Sequence, residues 1–174
     1  FQVINAPKFK AKWCAAYRHN GQIGRDDPKL VQDRNVALRA LVIDAQTLTP
    51  DLDAGSYSAT QEIRILQSLG FKVTFAPANM AYMAGYTESL QRMGVEAIYA
   101  PFVTSLRQVI EDRAEEFDLF YVARYGVAMQ VVDIIRSVKT EAKIILNIHD
   151  LHFLRELREA IADNSCLLYT SPSP

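Results

Sequence analysis

From Leu38 onward, short apolar runs alternate with amphipathic stretches of helix length, and this rhythm constrains the fold more than any other feature. The runs Leu38–Ile43, Lys72–Ala76, Ala97–Tyr99, Leu119–Ala123 and Lys143–Ile148 read as strands. Their apolar residues are nearly continuous, as in parallel strands buried on both faces. Helices are expected at Tyr57–Ser68, Tyr86–Met93, Ser105–Glu116, Val127–Val138 and Leu151–Ala162. In the first of these, Ile63, Leu66 and Leu69 recur at a spacing of three and share one face. Leu69-Gly70-Phe71 reads as a helix stop running into a strand, because glycine takes the left-handed position after a helix end, and Met93-Gly94-Val95 repeats the device. Five βα units in succession predict an α/β fold, a doubly wound, parallel, Rossmann-like sheet of about five strands with right-handed crossovers.

The rest of the chain divides around that domain, expected over residues 37–164. Residues 1–36 are polar and irregular, interrupted by Gly21, Gly24 and Pro28, and read as a linker or the tail of an upstream domain, with a short helix through Phe9–Tyr17. The chain opens without Met, so it is expected to begin inside a longer protein, and its start lacks a signal-peptide pattern. With 19 Lys+Arg against 20 Asp+Glu, the charge balance offers no attraction for nucleic acid or an anionic membrane. No run approaches the roughly 20 apolar residues of a membrane span. The two cysteines, Cys14 and Cys166, form no motif, and a reducing cytoplasm is the simplest setting.

In a doubly wound sheet, ligands sit beyond the C-terminal strand ends. Three loops therefore carry the candidate residues: Asp44–Ser56, Arg124–Gly126 and His149–His152. The first brings Gly55 and Ser56 to a helix start, where free N–H groups favour an anion or a sugar hydroxyl. The plainer alternative is that Asp53 or Ser56 caps the helix and Gly55 serves the turn. One glycine does not make a dinucleotide fingerprint, and no Gly-Lys-Ser/Thr makes a P-loop. Arg124, ending an apolar strand, is a ligand candidate or a surface ion-pair partner. After strand five, His149 could act as base or donor, and Arg155 could meet a phosphate or carboxylate. Alternatively, Asp150 caps the next helix while His152 and Arg155 are its solvated first turns. His-Asp-x-His lacks a further ligand cluster, so no metal is expected. Met80, Tyr82 and Met83 form either an apolar wall or irregular packing.

The stretch LVIDAQTLTPDLDAGSYSATQEIRILQSLGFKVTFAPAN, with YTESLQRMGVEAIYAPF and DLHFLREL, resembles family 4-like glycosyltransferases of the GT-B fold. The family's T-P-x-x-D-x-G-S loop matches Thr49–Ser56, and the likeness runs from about Leu38 to Ala162. It implies that this is the N-terminal, acceptor-side half of a two-domain enzyme that moves a sugar from a nucleotide donor. Bacterial members build cell-surface polysaccharide, in the cytoplasm or at the inner face of the cytoplasmic membrane. By resemblance, Gly55 and Ser56 lie in the cleft, His149 and Asp150 are the catalytic pair, and His152 and Arg155 match substrate-binding positions; Asp53, in the same loop, and Arg124, at its strand end, are added as substrate-binding candidates. The likeness implies no metal or other cofactor. The partners it implies are a C-terminal donor domain with an E-x7-E-type motif and a sugar or lipid-linked glycan acceptor. NAPKFKAKWCAAY, with Asn5, Phe9, Lys12 and Trp13, is more weakly similar to the end of a family 2 glycosyltransferase.

Residues 166–174, CLLYTSPSP, resemble the translation of a transposase sequencing adapter, so residues 165–174 are expected to be a non-native tail; a Ser/Pro-rich linker is the alternative. The expected parent is a glycosyltransferase truncated before its donor domain, and the fragment alone is expected to be inactive. A response-regulator-like domain would need an Asp ending strand three and a Lys ending strand five, where Tyr99-Ala100-Pro101 and His149 stand. A non-catalytic Rossmann-like binding or signalling module is the other reading.

Overall fold

A computed structural model of the chain describes residues 2–17, 33, 36–148, 158, 159 and 161. The elements in order are α1 (Gln2–Tyr17), β1 (Leu38–Asp44), α2 (Ala54–Ser68), β2 (Phe71–Pro77), α3 (Tyr86–Arg92), β3 (Glu96–Ala97), α4 (Leu106–Arg113), a short 3₁₀ turn (Ala114–Glu116), β4 (Leu119–Ala123), α5 (Tyr125–Val138) and β5 (Lys143–Asn147). The five strands are parallel and ordered β3-β2-β1-β4-β5, a doubly wound Rossmann-like sheet.

The central strand is buried on both faces, and its side chains alternate between two cores. Leu41 and Ile43 join Val109 and Ile110 of α4, Phe120 and Val122 of β4, and Val131 and Ile135 of α5. Ala40 and Val42 join Ala59 and Ile63 of α2, Val73 and Phe75 of β2, and Leu90 of α3. Helices thus cover both sides of the sheet.

The expected glycine stops are present. Gly70 and Gly94 have φ of 89° and 79°. After α3 the Gly94 N–H donates to Gln91 O at 2.9 Å and the Val95 N–H to Leu90 O at 3.1 Å. That is the paired ending in which a left-handed residue satisfies the last carbonyls, with Leu90 and Val95 packed in one core.

Several boundaries differ from expectation. The helix α2 begins at Ala54 rather than Tyr57, because Asp53 caps it. β3 holds only Glu96–Ala97 and omits Tyr99: Ile98 N–H still reaches Phe75 O at 2.9 Å, but Ala100 N–H turns to Met80 O at 2.8 Å. The helix α5 starts at Tyr125, directly after Arg124, rather than at Val127. The expected helix Ser105–Glu116 splits into α4, capped by Ser105, and the 3₁₀ turn. The first helix runs from Gln2 rather than Phe9, with a kink at Trp13. The expected helix over Leu151–Ala162 lies largely outside the described residues.

Candidate functional site

The strand order places the reversal of winding between β1 and β4. From β1 the chain moves toward β2 and β3, and from β4 toward β5. The loops leaving β1 and β4 therefore turn away from each other, and this switch point at the C-terminal end of the sheet is where a doubly wound fold offers its ligand crevice.

Arg124 enters that crevice from β4. Its backbone is held by its own N–H donating to Asn147 O at 2.9 Å and its carbonyl accepting from Ala128 at 3.1 Å. The residue has φ 73° and ψ 135°. This is left-handed backbone that a residue with a Cβ adopts at a cost of about 1–3 kcal/mol, and such residues cluster at functional sites. Its Nε donates to Asp44 Oδ1 at 2.6 Å, and its Nη2 lies 3.9 Å from Asp53 Oδ1. Asp44, the last residue of β1, is 1% exposed, and the Ala45 N–H also donates to it. The Arg124 side chain is 42% exposed, so the guanidinium bridges a buried carboxylate and the open crevice.

Asp53 comes from the loop after β1. Its Oδ1 accepts from the Ser56 N–H at 2.9 Å, and its Oδ2 from Thr49 Oγ1 at 3.1 Å and from Ser56 Oγ. The Ser56 hydroxyl, burial, the Ser56 N–H, Thr49 and the Arg124 charge act on this carboxyl together. Burial alone pushes its pKa up, and the net result lies below the usual carboxylate range. Ser56 is fully buried, with both N–H and hydroxyl directed to Asp53. No acceptor among the described residues meets the N–H groups of Ala54 and Gly55. A Cβ on Gly55 would stand 3.1 Å from Asp53 Oδ1, close enough to press on the capping carboxylate, and 3.6 Å from Arg124 Nη2, an ordinary contact.

A second polar group adjoins the first on the α2 side of the sheet. Asn147 Nδ2 donates to Glu62 Oε1 at 2.7 Å and to the Tyr121 hydroxyl at 2.6 Å. Burial, then Glu62, then Asp44 raise the Tyr121 pKa, with Asn147 opposing them. Glu62 Oε2 is buried without a hydrogen-bond partner.

The structure thus brings Asp53, Gly55, Ser56 and Arg124 together, across 71 positions of sequence. His149, Asp150, His152 and Arg155 lie outside the described residues. Sequence reasoning singled out neither Asp44 nor the Glu62–Tyr121–Asn147 group. For Asp44 a signal existed: a carboxylate directly ends the apolar run Leu41-Val42-Ile43. For Glu62 there was none, since its partners are set by strand order. Of the expected apolar wall, Met80 is buried in the core and Tyr82 is exposed.

The charges sum to two carboxylates against one guanidinium. The crevice therefore presents N–H donors, one arginine edge and carboxylate acceptors, a set that binds hydroxyl groups better than a bare anion. Among the described residues no group of three or more His, Cys, Asp or Glu could hold a metal ion, and no helix is long and apolar enough to cross a membrane. Comparison of the chain with protein-family models, with curated proteins and with solved structures returned no match.

Proposed function

We propose that the chain is the acceptor-side domain of a nucleotide-sugar-dependent glycosyltransferase of bacterial cell-surface polysaccharide synthesis. The observation that carries this reading is Arg124, held in left-handed backbone at the switch point between Asp44 and Asp53. The resemblance of the Thr49–Ser56 loop to family 4-like enzymes supplies the reaction class. In the reaction, the anomeric carbon leaves a nucleoside diphosphate and bonds to an acceptor hydroxyl, whose proton is taken up by a base. The proposed roles are orientation of sugar hydroxyls by Arg124, Asp53 and the Ala54 and Gly55 N–H groups, with His149 and Asp150 at the reacting sugar. His152 and Arg155 are assigned to substrate, and the donor to a following domain. Holding donor and acceptor in register across a cleft supplies most of the rate, so one half alone gives no turnover.

The test is to read the encoding DNA past residue 164, express the extended chain, and measure nucleoside diphosphate release from a panel of nucleotide sugars. The expected result is release by the extended chain that drops at least tenfold in Arg124→Ala, and none from the 174-residue chain. An in-frame native stop soon after Pro174 would refute the reading. One observation favours a non-catalytic binding module instead: the Ser56 N–H and hydroxyl are both consumed by Asp53. That module would bind sugar or nucleotide without release.

A further inference from the structure

Beside the crevice, on the β2–β3 side, the same end of the sheet carries an aromatic ledge that the site above does not use. Tyr82 leaves the loop after β2, and Tyr99 and Phe102 the loop after β3. The Tyr82 and Tyr99 ring centroids are 4.9 Å apart, and those of Tyr99 and Phe102 are 5.6 Å apart, edge to face. Phe102 is 78% exposed and Tyr82 46%. Grouped exposed rings mark an interaction surface far more often than isolated ones do.

The ledge is also held in place. The Tyr82 hydroxyl donates to Glu88 Oε1 at 3.1 Å, and the neighbouring Tyr86 hydroxyl to Asp51 Oδ2 at 2.9 Å. The latter bond ties α3 to the loop that contains Asp53. The loops 77–86 and 98–105 contain no charged residue, and the nearby charges, Asp51 and Glu88, are acidic. Arg92 on α3 is already paired with Glu88. With Glu88 balanced by Arg92 and Asp51 without a cation partner among the described residues, the patch offers no free cation and one negative charge, which disfavours phosphate, nucleic acid and anionic lipid. It suits a neutral ring that offers C–H bonds to the negative faces of the aromatics and hydroxyls to the carboxylates.

We infer that Tyr82, Tyr99 and Phe102 form a stacking platform for the ring of an uncharged sugar, with Asp51 and Glu88 accepting its hydroxyls. The inference rests on the reading above for which end of the sheet meets a substrate, and it narrows the acceptor to one with a neutral sugar unit beside the crevice.

Saturation-transfer NMR on the 174-residue chain tests it, with methyl glycosides of glucose, galactose, mannose and N-acetylglucosamine as probes. The expected result is transfer from the protein to ring C–H protons of at least one glycoside. Affinity should fall about fivefold to tenfold in Phe102→Ala, on the usual strength of an aromatic contact. Phe102→Trp should retain it, since a ring face remains. Phe102 is exposed, so both variants are expected to fold, which thermal melting checks. No transfer from any probe, or equal affinity in Phe102→Ala, would overturn the platform. So would Phe102-dependent binding to phosphatidylcholine vesicles without any to the glycosides. Sugar binding lost in Phe102→Ala alongside an extended chain that turns over no nucleotide sugar would keep the platform and remove the transferase reading. Turnover unaffected by Phe102→Ala would do the reverse.

Discussion

Two arginines in this fold each face two carboxylates, and they are built differently. Arg113 ends α4, and its side chain is 16% exposed. It donates to both oxygens of Glu96, at 2.8 and 3.1 Å, and to both oxygens of Glu116. Thr74 adds a bond to Glu96 at 2.8 Å. Burial works against the Arg113 charge, but Glu116 and Glu96 hold its pKa above the ordinary value. Arg124 makes one short bond to Asp44, approaches Asp53 at 3.9 Å, and sits on strained backbone. The same ingredients thus give a closed brace at Arg113 and an open, partly committed donor at Arg124. A saturated network rigidifies; an unsaturated one has hydrogen bonds left for a ligand.

The largest expected effect separates brace from donor. Arg113→Ala strands two partly buried carboxylates and should lower unfolding free energy by about 2–3 kcal/mol, below the range for fully buried pairs because Glu96 keeps some solvent. Urea unfolding reads this directly. Arg124→Ala takes the charged partner from the buried Asp44 and a weaker attraction from Asp53, but water can enter where the 42% exposed guanidinium stood and the Ala45 N–H bond to Asp44 stays, so a smaller loss of about 1–2 kcal/mol is expected. Equal losses at the two positions would erase the distinction.

A sharper contrast uses glycine. At position 124, glycine relieves the left-handed strain, so Arg124→Gly should be more stable than Arg124→Ala by about 1 kcal/mol. At position 113, φ is −133°, and the order should reverse by about 0.5 kcal/mol. Alanine at least as stable as glycine at position 124, as at 113, would show that the Arg124 backbone is not strained.

The smallest effect concerns pH. The Asp53 pKa is depressed in the folded chain, so its contribution is present above the ordinary carboxylate value of about 3.9 and lost as pH falls through the folded value. Asn also caps helices well, so Asp53→Asn should cost only a few tenths of a kcal/mol at pH 7. The gap between wild type and variant should narrow as pH falls from 5 toward 3. A constant gap would mean that the Asp53 charge plays no part.

Much of the sheet was legible in the sequence because four of its five strands are nearly continuous apolar runs. β1, β2, β4 and β5 fall within a residue of expectation at each end. β3 was not, because its end is set by where Ala100 N–H finds Met80 O, a contact between loops. In the site, Arg124 stood out as a charge ending a strand, and Asp53 as a helix cap. The bond from Arg124 to Asp44 spans 80 positions and follows only from β1 and β4 being neighbours. The left-handed backbone of Arg124 had no signal either, since neither Gly nor Asn occupies the position.

The central claim is that the crevice between β1 and β4 is the end of the sheet that meets substrate. Amide NMR of the 174-residue chain, titrated with the four methyl glycosides and with UDP-glucose, tests it most directly. The account predicts shifts at Asp44, Ala54, Gly55 and Arg124, with those around Arg113 and Glu116 unmoved. Shifts centred on Arg113, or none near Arg124 with any probe, would contradict it.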